Sequence, residues 1–166
     1  ELGVNAIVKM AKLVSALDTE FRELLAEAGG EDKWLSSSTI NLGMIQGGTR
    51  SNIVADFCKL RLDIRTTPAL QRPGGARALL TDFVQRIAAT AQVTVASEAF
   101  HLDTAPENGF VQKLIAAGAG LTGAPWFCDA AFLAVAGTSA IAIVPGSIAQ
   151  AHTKDEFITV SDLEDG

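Results

Sequence analysis

Eight residues in the middle of the chain, from Cys58 to Arg65, alternate strictly between apolar and charged side chains. Because successive side chains of a β-strand point to opposite faces, this pattern predicts a strand from about Ala55 to Arg65 with one buried and one polar face. The polar face carries Lys59, Arg61, Asp63 and Arg65. A strand with one solvated face is typical of a sheet that is packed on one side only, and it holds its polar side chains rigidly.

Two segments before this strand also have clear periodicity. Apolar residues recur at helical spacing over residues 4–25, and Gly29-Gly30 follows them, which predicts a long helix that ends at the glycines. Apolar and other residues alternate over 40–44, ahead of Gly47-Gly48. This alternation predicts a strand that ends at the second glycine pair.

After the central strand, the pattern returns to helix and then to strand. Residues 76–87 carry a second apolar stripe at helical spacing, and Val93 and Val95 alternate as in a strand. The order to this point is α-β-β-α-β, a ferredoxin-like split βαβ arrangement that lacks its first strand. We therefore predict an α/β chain whose N-terminal part is an incomplete unit of this type.

A change of composition at residues 100–108 precedes a second pattern of short helices and apolar segments. Helices are expected at 109–119, at 130–136 and from Val160 onward, the last with Ser161 as its N-cap. Strands are expected at 125–128, 140–144 and 157–159. This order indicates part of an α/β sheet and divides the chain into residues 1–104 and 105–166.

The composition is that of a globular protein, with 48% apolar and 19% charged residues among 166. The net charge of −6 and the lack of a basic stripe argue against a nucleic-acid partner. No apolar run is long enough to span a membrane. Cys58 and Cys128 lack metal-binding or redox spacing and are interpreted as buried thiols in a reducing compartment. The first ten residues resemble neither a signal peptide nor a translation start, so we expect them to lie inside a longer gene product.

His152 follows the apolar segment 140–144 through a Pro-Gly-Ser loop and is flanked by acidic residues. The end of a buried α/β strand is a common place for a functional site. A neutral imidazole there is a good zinc ligand, which a neighbouring carboxylate could orient. The alternative is a loop histidine with a local hydrogen bond, since one histidine without partners is a weak metal signal. Gly146 and Ser147 could present backbone N–H groups to a carboxylate, or only turn the chain.

Two residues of the N-terminal part are candidates for binding a substrate carboxylate. The planar guanidinium of Arg65 suits a carboxylate, although an exposed ion pair with Asp63 is the commoner role of such an arginine. Asn52 follows Gly47-Gly48, and this segment offers an amide and backbone N–H groups to an anion, or only a turn. His101 has no motif around it and is interpreted as a surface or linker residue.

Four groups of residues, taken in their order along the chain, resemble one known family. They are ELGVNA at 1–6; TINLG at 39–43 with GG at 47–48, SN at 51–52 and LDIR at 62–65; CDA at 128–130; and PGSIAQAH at 145–152 with DE at 155–156. They are similar to the lid-domain helix, the lid strands, a Thr-Asp-Ala turn and the C-terminal metal-ligand loop of that family. The family is the co-catalytic zinc hydrolases that include acetylornithine deacetylase, succinyl-diaminopimelate desuccinylase and carboxypeptidase G.

This resemblance implies a fold and a mechanism. Residues 1–104 would be the lid or dimerisation domain, without its first strand, and residues 105–166 the C-terminal part of the catalytic zinc-hydrolase domain. In the family, two zinc ions (cobalt is an alternative metal) hold a hydroxide that attacks an amide carbonyl, while a glutamate moves the proton. The resemblance makes His152 a zinc ligand. It also implies four substrate-binding residues: Asn52, Arg65, Gly146 and Ser147. The first two often act across a dimer.

The same resemblance implies what this sequence lacks. The other metal ligands, the catalytic glutamate and the lid histidine of the family precede the matching region, so no catalytic residue is expected here and the chain alone is predicted to be inactive. The complete enzyme is expected to be a cytoplasmic homodimer that hydrolyses an N-acyl amino acid, above all N-acetylornithine, in arginine biosynthesis. The alternatives are a desuccinylase or carboxypeptidase of the same family, or a module for dimerisation only.

Overall fold

The computed structural model describes residues 3–70, 74–150 and 153–165. Its N-terminal part begins with three consecutive helical segments: α1 (Ala6–Ala16), a π-helical turn (Leu17–Phe21) and α2 (Arg22–Gly29). Asn5 caps α1, because its Oδ1 accepts hydrogen bonds from the N–H groups of Ile7 and Val8 at 3.0 and 3.3 Å. Gly30, with φ of 59°, ends α2 as the glycine pair predicts.

The two strands form one antiparallel pair. β1 spans Thr39–Gly47 and β2 spans Cys58–Arg65, with Thr39 opposite Arg65 and Gly47 opposite Cys58. The apolar residues of β2 are half-buried and its charged residues are exposed, which confirms the predicted alternation. A register shift between Leu42 and Met44 breaks the alternation of β1, so that Met44 pairs with Arg61 and is 53% exposed.

A single apolar core joins the helices to the inner face of the strand pair. α3 (Gly75–Ile87) completes it, and the rings of Phe21 and Phe83 meet with their centroids 5.2 Å apart. Arg22 donates from Nη1 to the carbonyl oxygen of Ile40 at 3.2 Å, which fastens α2 to β1. The buried residues of this core come from five elements: Leu13, Ala16, Leu17, Phe21, Leu25, Ile40, Leu79, Leu80, Phe83 and Val84.

The strand predicted at Val93 and Val95 is not formed. Val93 still packs against the core from an irregular segment, whereas Val95 is 45% exposed. The β1–β2 pair is the only sheet among the described residues, so this segment has no strand beside it to accept its backbone hydrogen bonds. The apolar pattern therefore predicted the burial of Val93 correctly, but neither the burial of Val95 nor the strand.

The C-terminal part contains short helices and no strand among its described residues. The helices are α4 (Gly109–Ala116), α5 (Ala130–Val135) and α6 (Val160–Asp165), with a 3₁₀ turn at Ile148–Gln150. The strands predicted at 125–128, 140–144 and 157–159 are irregular; Ile143 and Val144 are 59% and 66% exposed. These strands needed neighbours on both sides that the described residues do not supply.

Helices together with an antiparallel strand pair confirm the α/β class, although the C-terminal sheet is not formed. Two smaller predictions are corrected. Thr159, rather than Ser161, caps α6, because its Oγ1 accepts from the N–H of Asp162 at 3.0 Å. Cys58 and Cys128 are half-buried and carry free thiols. Within the described ranges, every helix falls short of the length and apolar character that a membrane crossing requires.

Candidate functional site

Asn52 lies in the loop that joins β1 to β2. The loop leaves β1 through Gly48, whose φ is 71°, and the N–H of Ile53 bonds to the carbonyl of Arg50 at 3.2 Å across a turn that contains Asn52. A hydrogen bond of 2.7 Å from the N–H of Ala6 to the carbonyl of Ala55 fastens the returning chain to the start of α1. Asn52 is therefore a turn residue with an exposed side chain, in a loop that is held at both ends.

A cleft of about 400 Å³ lies between this loop and the first turn of α1. Its lining consists of residues from the loop and from the helix start: Asn5, Ile7, Gly47, Gly48, Thr49, Arg50, Ser51, Ile53 and Ala55. Arg50 is the one titratable residue among them. Sequence reasoning did not single out Arg50, although an arginine between a glycine pair and a Ser-Asn turn was a usable signal.

Arg65 lies at the far end of β2, on its exposed face. Its Nε is 2.6 Å from Oδ2 of Asp63, and both side chains are more than half exposed. This is the ion pair that the sequence offered as the commoner role of Arg65. The pair is made by Nε, and carboxylate binding by the exposed guanidinium stays a prediction.

The structure does not bring Asn52 and Arg65 together within one chain. Asn52 precedes β2, whereas Arg65 ends it, and the eight residues of a strand cover about 23 Å. A single amino-acid derivative is too short to contact both side chains of one copy. The two residues can serve the same ligand only if they come from different copies of the chain.

Gly146 and Ser147 form a turn in the C-terminal part. Gly146 has φ of 81°, and a Cβ at this position would lie 3.4 Å from Ile158, so the turn requires glycine. The Oγ of Ser147 accepts from the N–H of Ala149 at 3.3 Å and starts the 3₁₀ turn. The local role of this pair is thus chain reversal; substrate binding by it stays a prediction.

His152, the predicted zinc ligand, lies outside the described residues. Across the ranges that the structure does describe, no group of three His, Cys, Asp or Glu side chains is placed to hold a metal ion. These ranges therefore do not form a zinc site by themselves, and no step through a metal is assigned to them.

His101 is an exposed linker residue, as predicted, but it has defined contacts. Its Nε2 lies 2.8 Å from Oγ1 and 3.1 Å from the carbonyl oxygen of Thr66, the residue after Arg65. The pKa of nearby Asp32 is lowered, chiefly because the N–H groups of Trp34 and Leu35 donate to its carboxylate, with a smaller contribution from the charge of His101. These contacts hold the linker against the loop that precedes β1 and the end of β2.

Comparisons with known proteins agree on one family. A family model described as a peptidase dimerisation domain matches residues 1–93. Acetylornithine deacetylase of Proteus mirabilis is 30% identical over 175 residues, which cover 99% of this chain and 43% of that protein. N-acetyl-L-citrulline deacetylase of Xanthomonas campestris is 27% identical over 78% of this chain and 37% of its own. For acetylornithine deacetylase of Aliivibrio salmonicida, the identity is 27%, with coverages of 98% and 44%.

The chain spans less than half the length of these curated relatives. The family model covers more than half of the chain, and the Proteus relative aligns along nearly all of it. The helix and strand pair of the N-terminal part also have the order expected from the resemblance. The chain therefore belongs to the M20 family of amidohydrolases, with a peptidase dimerisation domain at residues 1–93.

Proposed function

We propose that this chain is part of a deacetylase that hydrolyses an N-acyl amino acid, most directly N-acetylornithine, to the amino acid and a carboxylate. One observation carries the proposal: the alignment with an acetylornithine deacetylase extends over 99% of the chain at 30% identity. A relative named for N-acetyl-L-citrulline supports the same reaction on a related side chain. We place the enzyme in the cytoplasm and in arginine biosynthesis, which the two free thiols and the relatives' names respectively favour.

We assign substrate binding, rather than catalysis, to the described residues. Asn52 carries an exposed amide, and Arg65 keeps two Nη groups beside its bond to Asp63, so both can hold the carboxylate of an amino acid. Two zinc ions per complete enzyme, with cobalt as an alternative and His152 as one ligand, would supply the hydrolytic chemistry. Because the resemblance places the other metal ligands outside the matching region, the chain alone is expected to be inactive.

We further propose a homodimer through residues 1–93. The match to a dimerisation domain supports it. So do the exposed apolar side chains just before α1, on α1 and β1, and in the β1–β2 loop: Val4, Ile7, Val8, Met44, Ile45, Ile53, Val54 and Phe57. The separation of Asn52 from Arg65 along β2 has the same implication, because a second copy can bring the Asn52 of one chain to the Arg65 of the other.

Two alternatives make different predictions. If the chain belongs to a module that only dimerises, it would self-associate, and the longer protein would hydrolyse none of these substrates. A desuccinylase or carboxypeptidase of the family would prefer succinyl-diaminopimelate or a folate-like amide to N-acetylornithine. Light scattering on the chain tests the dimer, and a monomer at all concentrations would contradict it.

The deciding experiment uses the longer protein encoded together with the sequence upstream of Glu1. Release of the amino acid is measured from N-acetylornithine, succinyl-diaminopimelate and a folate-like amide, with and without added zinc. We expect N-acetylornithine to be turned over fastest, and the 166-residue chain to be inactive under the same conditions. Absence of hydrolysis of all three substrates by the longer protein would refute the proposed function.

A mixing experiment tests how Asn52 and Arg65 cooperate. In the longer protein, Asn52→Ala and Arg65→Ala are each expected to raise the KM for N-acetylornithine. Lys59→Ala, on the same face of β2 as Arg65, is the control and should leave KM unchanged. If one site takes Asn52 and Arg65 from different chains, refolding the two variants as a 1:1 mixture gives half mixed dimers, each with one intact site. About one quarter of the wild-type activity should then return. No recovery would contradict a shared site.

A further inference from the structure

Arg65 lies at the last cross-strand pair of the β1–β2 sheet. It is opposite Thr39, and the chain leaves the sheet at the next residue, Thr66. The end of a strand is prone to fraying, because the ladder of hydrogen bonds stops there. The orientation of the exposed Arg65 side chain therefore depends on what holds the residues that follow it.

Two side chains from other segments bind these following residues. Ser38, which precedes β1, accepts a hydrogen bond at its Oγ from the N–H of Thr67 at 3.1 Å, and both residues are buried. His101 brings its Nε2 to within 2.8 Å of Oγ1 and 3.1 Å of the carbonyl oxygen of Thr66. Ser38 is next to β1 in sequence, whereas His101 is 35 residues beyond Thr66. The end of β2 is thus attached to its own sheet and to a distant segment.

The contact between His101 and Thr66 is possible in every protonation state of the imidazole. A protonated Nε2 donates to the carbonyl oxygen or to Oγ1 of Thr66, and an unprotonated Nε2 accepts from the hydroxyl group. The attachment is therefore permanent rather than controlled by pH. Because His101 is exposed, we expect it to have the strength of an ordinary hydrogen bond in contact with water.

The segment that carries His101 is docked on the C-terminal part of the chain at both of its ends. The ring of Phe100 meets that of Phe132 in α5 edge to face, with the centroids 6.5 Å apart. Oγ1 of Thr104 donates to the carbonyl oxygen of Ala140. His101 thus lies between two attachments to the C-terminal part, while its own bond reaches the N-terminal part.

We infer that His101 is a positioning residue for Arg65. Its bond to Thr66 holds the backbone at the end of β2, so that the guanidinium keeps the orientation in which its Nε pairs with Asp63. Through residues 100–104, the same bond makes this orientation depend on the position of the C-terminal part. The role of His101 in the reaction rests on the proposed function, in which Arg65 binds the substrate carboxylate, whereas its effect on the order of Arg65 does not.

The first test follows Arg65 in the complete 166-residue chain labelled with ¹⁵N. We expect His101→Leu to lower the NMR order parameters of the Arg65 and Thr66 amides from about 0.85 to below about 0.6, because the end of β2 loses this attachment. His101→Gln should keep the higher values, since its side-chain amide can also donate to or accept from Thr66. Glu98→Leu is the matched control: it makes the same change to leucine at an exposed position of the same segment, and it should leave both amides unchanged.

The second test uses the longer protein with N-acetylornithine as substrate. His101→Leu should raise KM about three- to tenfold and change kcat by less than about twofold, and His101→Gln should restore most of the loss. When Arg65 is already replaced by alanine, His101→Leu should have no further effect on KM, because His101 acts through Arg65.

Three results would overturn the inference. One is unchanged order parameters at Arg65 and Thr66 in His101→Leu; another is an equal loss of order in His101→Gln or in Glu98→Leu. The third is a double variant in which the effects of His101→Leu and Arg65→Ala on KM multiply. Each of these refutes the positioning role while the wild-type longer protein still hydrolyses N-acetylornithine. Absence of hydrolysis by the wild type refutes the proposed function instead, and the NMR result then decides by itself whether His101 orders Arg65.

Discussion

Replacing Phe21 by alanine tests whether the π-helical turn is the centre of the N-terminal core. Phe21 is fully buried, and its ring meets that of Phe83 at 5.2 Å. Burying a phenylalanine contributes about 1.5–3 kcal/mol, and an aromatic pair adds about 0.5–1.5 kcal/mol. With the cavity that remains, we expect Phe21→Ala to lower the free energy of unfolding by about 3–5 kcal/mol.

The assay is urea unfolding followed by circular dichroism at 222 nm. Phe110→Ala is the control, because Phe110 also lies in a helix but is 76% exposed, and we expect a change within about 0.5 kcal/mol. If Phe21→Ala does not fold, Phe21→Leu gives a milder loss of about 1 kcal/mol. A loss below about 1 kcal/mol for Phe21→Ala, or an equal loss for both alanine variants, would refute this account of the core.

Three further predictions concern single contacts. Asn5→Ala should cost about 1 kcal/mol in urea unfolding and Asn5→Asp much less, since either side chain can cap α1; equal losses would contradict the cap. Arg22→Met should lower the free energy of unfolding by about 1 kcal/mol, because it removes the hydrogen bond to the Ile40 carbonyl. The control Arg86→Met should lower it by less than about 0.5 kcal/mol, because Arg86 and Glu20 form an exposed ion pair at 3.7 Å. A larger loss for Arg86→Met than for Arg22→Met would contradict the proposed link between α2 and β1. The pKa of Asp32 in the folded chain lies below its ordinary value of 3.8. The stabilisation that the Asp32 carboxylate gives to the folded state is therefore complete above pH 3.8 and is lost as the pH falls through the folded pKa. Asp32→Ala should therefore reduce the fall in urea midpoint between about pH 5 and pH 2.5, and an unchanged acid profile would count against it.

The local elements of the N-terminal part could be predicted from the sequence because their signals are local. The alternation over Cys58–Arg65 fixes which side chains of β2 face the core, and the glycine pair at 29–30 ends α2. The register shift after Leu42 could not be predicted, because the apolar Met44 continues the alternation in sequence while the pairing with β2 turns it outward.

The strands expected at Val93 and at 140–144 were wrong for a different reason. An apolar segment becomes a strand only when another strand accepts its backbone hydrogen bonds, and that neighbour is a property of the tertiary structure. Without such a neighbour, Val93 is partly buried in an irregular segment and Val144 is exposed in another.

For the candidate site, the sequence by itself determined the residue types and their family. It predicted that Asn52 and Arg65 bind a carboxylate, which stays a prediction, and it placed the chain among the M20 amidohydrolases. Only the tertiary structure decided their placement: β2, which spans about 23 Å, lies between the loop of Asn52 and Arg65, and the return of the loop to α1 makes a cleft around Arg50. The reason is that side-chain chemistry is carried by each residue alone, whereas a site depends on which distant segments pack together.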